Sequence, residues 1–168
     1  LEKQEKYNWK LTDLFKDKED FHIAISRMTE ELKKMENFKG ILCDSSENLF
    51  ECYNLYERLL LDFEKIYSYG MFNYHLNMAD QSSIKLFKEV ENLATEFSTQ
   101  TSFITPEITF ADEELIRKYL AEDSRLKRYE RDIEDILEKK KHILSKEEEN
   151  ILANYSEIFS APENIFDI

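Results

Sequence analysis

Glycine and proline are nearly missing from this sequence, with two of each among 168 residues. Tight turns between strands depend on the backbone conformations of these two residues, so their scarcity argues against a fold of many short strands. Apolar residues form 42% of the chain and aromatic residues 13%, enough for a substantial hydrophobic core. The sequence therefore predicts a single all-α domain over residues 1–168.

Apolar residues recur every three or four positions, which is typical of amphipathic helices that pack together. We predict an antiparallel helical bundle of about seven helices, three of them long. The only place for a short strand pair is near Ile41 or Ile108. The predicted segments are approximately 7–15, 17–36, 45–74, 80–106, 112–121, 124–142 and 145–159, of which the second, third and fourth are the long ones.

Several residues are typical of helix ends. Asp44 with Glu47, and Ser145 with Glu148, have the spacing of a capping box, in which side chains satisfy the free backbone N–H groups of a first turn. Gly40 follows the first long helix, where a positive φ is often needed.

The charge balance excludes some partners. The formal net charge is −13 at pH 7, so a phosphate backbone would be repelled, and we expect no nucleic-acid partner. Such a surface could attract cationic peptides weakly, although solvated Glu and Lys helix faces give the same composition. No apolar run approaches the roughly 18 residues that span a bilayer, so no membrane partner is expected.

The compartment is predicted from the cysteines and the first residues. Cys43 and Cys52 are spaced too widely for a redox pair or half of a zinc finger, and we interpret them as free thiols in a reducing compartment. Residues 1–6 do not resemble a signal peptide. We therefore expect a cytoplasmic protein, and a chain without an initial Met is expected to be processed or excised from a longer one.

No catalytic or metal-binding residue is predicted. A zinc peptidase requires two His one helical turn apart with a Glu beside the first, and His22, His75 and His142 all lack both. Two glycines cannot supply a phosphate loop or a nucleophile elbow, and neither Cys has a nearby His in sequence. The many carboxylates are interpreted as solvated surface.

Tyrosines crowd the second long helix, at positions 53, 56, 67, 69 and 74. A tyrosine combines apolar area with a hydroxyl that needs a partner, which suits a groove that binds peptides. An aromatic core with hydroxyls at its edge is the alternative interpretation, and the substrate-binding residues stay unknown at this stage.

The chain ends with apolar residues. Ile165, Phe166 and Ile168 would expose apolar surface unless something covers them, and we predict that they form a docking face for a catalytic half of the same polypeptide. The alternative is that they fold back onto their own bundle.

Several segments, read in order, resemble the N-terminal domain of oligoendopeptidase F, in the thimet oligopeptidase-like family of zinc metallopeptidases. The resemblance runs from about residue 7 to the end. The segments that carry it are residues 9–15 (WKLTDLF), 38–40 (FKG), 129–133 (YERDI), 140–149 (KKHILSKEEE) and 151–153 (ILA).

The resemblance implies a longer, clam-like enzyme that cleaves short peptides, with Zn²⁺ held by a His-Glu-x-x-His helix in the C-terminal half. That motif is not found in this sequence, so no catalytic or metal role is carried over to any residue. This chain would be a non-catalytic wall of the substrate channel that limits substrate size, with the catalytic domain and short peptides as partners. The alternative is a free-standing helical protein-interaction module.

Overall fold

The computed structural model describes residues 10–76 and 78–140, and every regular element in this part of the chain is helical. The α-helices are α1 (Lys18–Leu32), α2 (Ser46–Leu76), α3 (Gln81–Thr101), α4 (Ile104–Phe110), α5 (Glu113–Glu122) and α6 (Glu130–Lys140). Three 3-10 segments accompany them, at Leu11–Asp13, Lys33–Phe38 and Ser124–Arg128.

The all-α prediction is confirmed for the described residues, but the predicted helix count was too high. Six α-helices are present rather than about seven, and the predicted last helix at 145–159 lies outside the described residues. No strand pair occurs in the described chain. Ile41 lies in a turn and Ile108 lies inside α4, so their backbone groups are used locally.

Three helix ends differ from the predictions for local reasons. Ser45, not Asp44, caps α2, because its Oγ accepts the backbone N–H of Asn48 at 3.1 Å. The first long helix tightens into a 3-10 segment after Leu32. Helix α3 ends at Thr101, ahead of Pro106, which has no N–H to donate and therefore lies in the first turn of α4, where no helical bond is required.

Other end signals are confirmed. The side chains of Asp17, Asp80 and Asp112 each accept a backbone N–H at the start of α1, α3 and α5. Gly40 has a φ of 84°, as predicted for the residue after the first long helix.

The three long helices are antiparallel to their neighbours along the chain. Ring pairs join Phe63 to Phe97 and Tyr74 to Phe87, so numbers fall on α3 as they rise on α2. The same reversal between α1 and α2 is seen in the ion pair of Arg27 with Asp62. Contact between α2 and α3 is close, since a Cβ placed on Gly70 would lie 2.6 Å from a methyl carbon of Val90.

The shorter helices pack against the first half of α2 and the loop before it. Tyr129, just before α6, places its ring 5.2 Å from that of Tyr53 and donates from its hydroxyl to Glu57 at 3.0 Å. Helix α4 is tied to the loop at residues 39–44 by Glu107, whose carboxylate accepts the backbone N–H of Gly40 at 2.6 Å and of Leu42 at 3.3 Å. The shorter helices thus close one end of the bundle and leave a groove along α2.

Candidate binding groove

The histidines lie apart and bind nothing catalytic in the described chain. The Nδ1 atom of His22 is 2.6 Å from the carbonyl oxygen of Lys18, and its Nε2 atom is 3.1 Å from a Glu89 carboxylate oxygen. His75 is exposed in the last turn of α2, with its ring 5.4 Å from that of Tyr74. His142 lies outside the described residues. Within the described ranges, no three His, Cys, Asp or Glu side chains converge in a way that could hold a metal ion.

Both cysteines are free thiols buried near Glu107. Burial and the nearby Glu107 carboxylate raise the pKa of Cys43 to about 11 and that of Cys52 to about 12. The reactive form of a thiol is the thiolate, so these residues are poor nucleophiles.

We expect the folded chain to react with iodoacetamide at pH 8 far more slowly than the urea-unfolded chain. Because the pKa of Cys43 rises from 9.0 to about 11, its thiolate fraction at pH 8 falls about a hundredfold. Mass spectrometry of timed reactions would measure both cysteines separately. Equal rates in the folded and unfolded chains would contradict the buried positions.

The tyrosines of α2 have different surroundings. Tyr69 is buried in the core, 4.9 Å from the ring of Phe21. Tyr67 and Tyr74 pack against Phe87 at the other side of α2, with centroid distances of 6.2 and 5.1 Å. Only Tyr53 and Tyr56 line a groove, so the prediction of a tyrosine-lined groove applies to these two residues, while the alternative of an aromatic core describes Tyr69.

The groove lies between α2, the α3–α4 junction and α6, and has a volume of about 450 Å³. This volume is within the range of pockets that hold small ligands. Helix α6 supplies two carboxylates three residues apart, Asp132 and Asp135, together with the ammonium of Lys139. Hydroxyl groups of Ser98 and Ser102 line the opposite side.

The two tyrosines feel the acidic side of the groove. Burial raises the pKa of Tyr53, and the charge of Asp132 adds to the effect. Burial and the same carboxylate also raise the pKa of Tyr56. Both phenols therefore stay protonated at neutral pH and can act as hydrogen-bond donors or acceptors.

Sequence reasoning missed the acidic side of this groove. Asp132 and Asp135 were included among solvated carboxylates, because nothing in the sequence shows that the start of α6 lies against the middle of α2. The predicted docking residues Ile165, Phe166 and Ile168 lie outside the described residues. A different apolar side chain, that of Phe110 at the end of α4, is 83% exposed.

A second, more apolar cavity of about 320 Å³ lies beside Phe110, lined by Cys43, Pro106 and Ala111 among others. Lys140, the last residue of α6, donates from its Nζ to the carbonyl oxygen of Ala111 at 2.9 Å. The end of the described chain therefore lies beside this apolar surface. No helix within the described ranges is long and apolar enough to cross a membrane.

Comparison with known proteins assigns this helical domain to a class of peptidases. The family model described as Oligopeptidase F matches residues 107–168. The oligoendopeptidase F homolog of Borreliella burgdorferi is 35% identical over 94% of this chain and 26% of its own length. Oligopeptidase PepF of Bacillus subtilis is 26% identical over 95% of this chain and 24% of its own length.

Solved structures agree with the sequence matches. The crystal structure of oligoendopeptidase-F from Enterococcus faecium superimposes with a TM-score of 0.68 at 27% identity, covering 89% of this chain and 30% of that one. A putative peptidase from Chlamydophila abortus gives a TM-score of 0.73 at 22% identity, covering 94% and 27%, which shows a shared fold. The chain belongs to the oligoendopeptidase F family. It spans about a quarter of the length of the curated relatives it matches.

Proposed function

We propose that this chain is the non-catalytic N-terminal domain of an oligopeptide-cleaving zinc metalloendopeptidase, in which it forms one wall of the substrate channel and limits substrate size. The observation that carries the proposal is the match to oligoendopeptidase F along nearly the whole chain but only a quarter of the relatives' length. Most of the enzyme would lie in the remaining polypeptide.

The chemistry would belong to that remaining polypeptide. The sequence contains no His-Glu-x-x-His motif, which in zinc peptidases supplies two ligands and a general base. Zn²⁺ would therefore be held by the catalytic domain, where it polarises the scissile carbonyl and activates water. This domain contributes a rigid helical surface that restricts entry to short peptides and shelters the reacting carbonyl from bulk water.

Exposed apolar side chains in the described chain support an interface with the catalytic domain. Phe110 is mostly exposed beside an apolar cavity, and Ile41 is exposed in the neighbouring loop. Exposed apolar surface of this kind is typical of docking faces. The proposed partners are the catalytic domain of the same polypeptide and short peptides, and the proposed location is the cytoplasm.

The test is to express the complete reading frame, and this chain separately, and to assay both with a short quenched fluorescent peptide and with folded casein-sized proteins. We expect zinc-dependent cleavage of the short peptide by the complete protein and no cleavage by this chain. A variant of the complete protein without residues 1–168 is expected to lose its discrimination against long substrates, or its activity altogether.

Two results would overturn the proposal. Cleavage of folded proteins and short peptides at equal rates by the complete enzyme would remove the role in size selection. A stop codon directly after Ile168, with no downstream His-Glu-x-x-His, would instead favour the free-standing helical interaction module.

A further inference from the structure

Three groups on the groove described above lack partners in the described chain. The side chains of Asp132 and Asp135 form no hydrogen bond or ion pair with any described residue, although both border the groove. The hydroxyl of Tyr53 also has no hydrogen-bond partner among the described residues, while the residue itself is only 5% exposed. A buried phenol without a partner is unusual, because removing a hydroxyl from water carries a free-energy cost.

The position of the Tyr53 hydroxyl follows from this lack of a partner. No described side-chain polar atom is both fully buried and unpaired, so the hydroxyl must reach open space. Tyr53 lines the groove, and the groove is the open space beside it. The phenol therefore directs its oxygen toward the same space that Asp132 and Asp135 border.

We infer that this groove binds a guanidinium group, such as the side chain of an arginine in a peptide, with Asp132 and Asp135 accepting its N–H groups and the Tyr53 hydroxyl accepting another. A guanidinium has five donors in a fixed plane and no acceptor, which matches two carboxylates and a phenol oxygen. The ring of Tyr56 adds an aromatic surface on which the cation can lie.

The charges around the groove set the expected sign of each effect. Two carboxylates face one ammonium, that of Lys139, which lies at the same groove but forms no ion pair with either carboxylate within the described residues. The site is therefore net acidic, and Lys139 opposes a cationic ligand. Removing a carboxylate should weaken binding, whereas removing the ammonium should strengthen it.

The experiment uses the whole 168-residue chain and two probes, Nα-acetylargininamide and its neutral isostere Nα-acetylcitrullinamide. Nuclear magnetic resonance titration would give a dissociation constant and locate the shifted amides. We expect saturable binding of the arginine probe, weaker in high salt, with shifts in α2 and α6 around Tyr53 and Asp132. The citrulline probe should bind at least about tenfold more weakly, since its urea group carries no charge.

Four variants test the assignment of roles. Asp132→Asn should weaken binding of the arginine probe about tenfold and Tyr53→Phe about threefold, because each loses one hydrogen bond from the cation. Lys139→Met should strengthen it about twofold by removing a like charge. Glu138→Gln is the matched control, since Glu138 is an exposed carboxylate on α6 that does not line the groove, and its affinity should stay unchanged.

Equal affinity for the two probes, or an Asp132→Asn variant that binds like the control, would overturn the proposal. So would shifts that spread over the acidic surface and respond to Glu138→Gln as strongly as to Asp132→Asn. All variants change exposed or isosteric groups, and circular dichroism of each would verify the fold. The inference is independent of the proposed peptidase role, because binding is measured on this chain alone.

Discussion

Replacing Phe21 by Ala is expected to lower the free energy of unfolding by about 3–5 kcal/mol. The side chain is completely buried in the first turn of α1. Its ring lies 5.5 Å from that of Phe15 and 4.9 Å from that of Tyr69, so it joins α1 both to the preceding segment and to α2. The substitution removes apolar contacts and leaves a cavity between rings that cannot collapse without moving a helix.

Urea unfolding followed by far-ultraviolet circular dichroism would measure the loss. A domain of this size has a free energy of unfolding of roughly 5–15 kcal/mol, so the Phe21→Ala variant should unfold at a much lower urea concentration. The matched control is Phe110→Ala, an identical chemical change at a side chain that is 83% exposed. We expect it to change the free energy of unfolding by about 0.5 kcal/mol or less.

The comparison of these two phenylalanines also tests the exposed apolar surface. If Phe110→Ala destabilises the chain as much as Phe21→Ala, then Phe110 is covered within this chain and cannot contribute to docking. If it is neutral here but weakens association with a separately expressed catalytic domain, the surface belongs to that interface. Phe166→Ser provides the same test for the predicted docking face at Ile165, Phe166 and Ile168.

Hydrophobic periodicity predicted most of the core of α1, because that helix is buried on one face. Phe21, Met28 and Leu32 were assigned to one stripe by their spacing, and all three are buried. The same reasoning failed for Leu61 on α2, which was predicted to widen the apolar face but is 61% exposed. Helix α2 contacts neighbours on several sides, so apolar residues surround it and periodicity no longer identifies one buried face.

The groove could be predicted only in part. Tyrosines with a possible binding role are visible in the sequence, because an aromatic ring with a hydroxyl has recognisable chemistry. Their neighbour Asp132 is separated from Tyr53 by more than half of the described chain, and only the packing of α6 against α2 brings the two together. A carboxylate on an amphipathic helix has no sequence signal that distinguishes a groove from a solvated face.

Glu107→Ala is expected to lower the free energy of unfolding by about 2–3 kcal/mol, a large effect for a polar side chain. The carboxylate accepts two backbone N–H groups of the loop that joins the first 3-10 segment after α1 to α2, those of Gly40 and Leu42. Hydrogen bonds to a charged acceptor are stronger than neutral ones, and the partly buried Leu42 amide would lose its partner. The loop would therefore be held to α4 only by apolar contacts and the weak bond from the Cys43 thiol.

Two further variants separate the hydrogen bonds from the loss of a charged side chain. Glu107→Gln keeps one carbonyl acceptor and should cost about half as much as Glu107→Ala, since one amide stays bonded. Glu122→Ala removes an exposed carboxylate from the last turn of α5 and should leave the free energy of unfolding nearly unchanged. Hydrogen exchange would report the local effect, with faster exchange at Gly40 and Leu42 in Glu107→Ala. Unchanged exchange at both amides, together with wild-type stability, would show that Glu107 does not hold this loop.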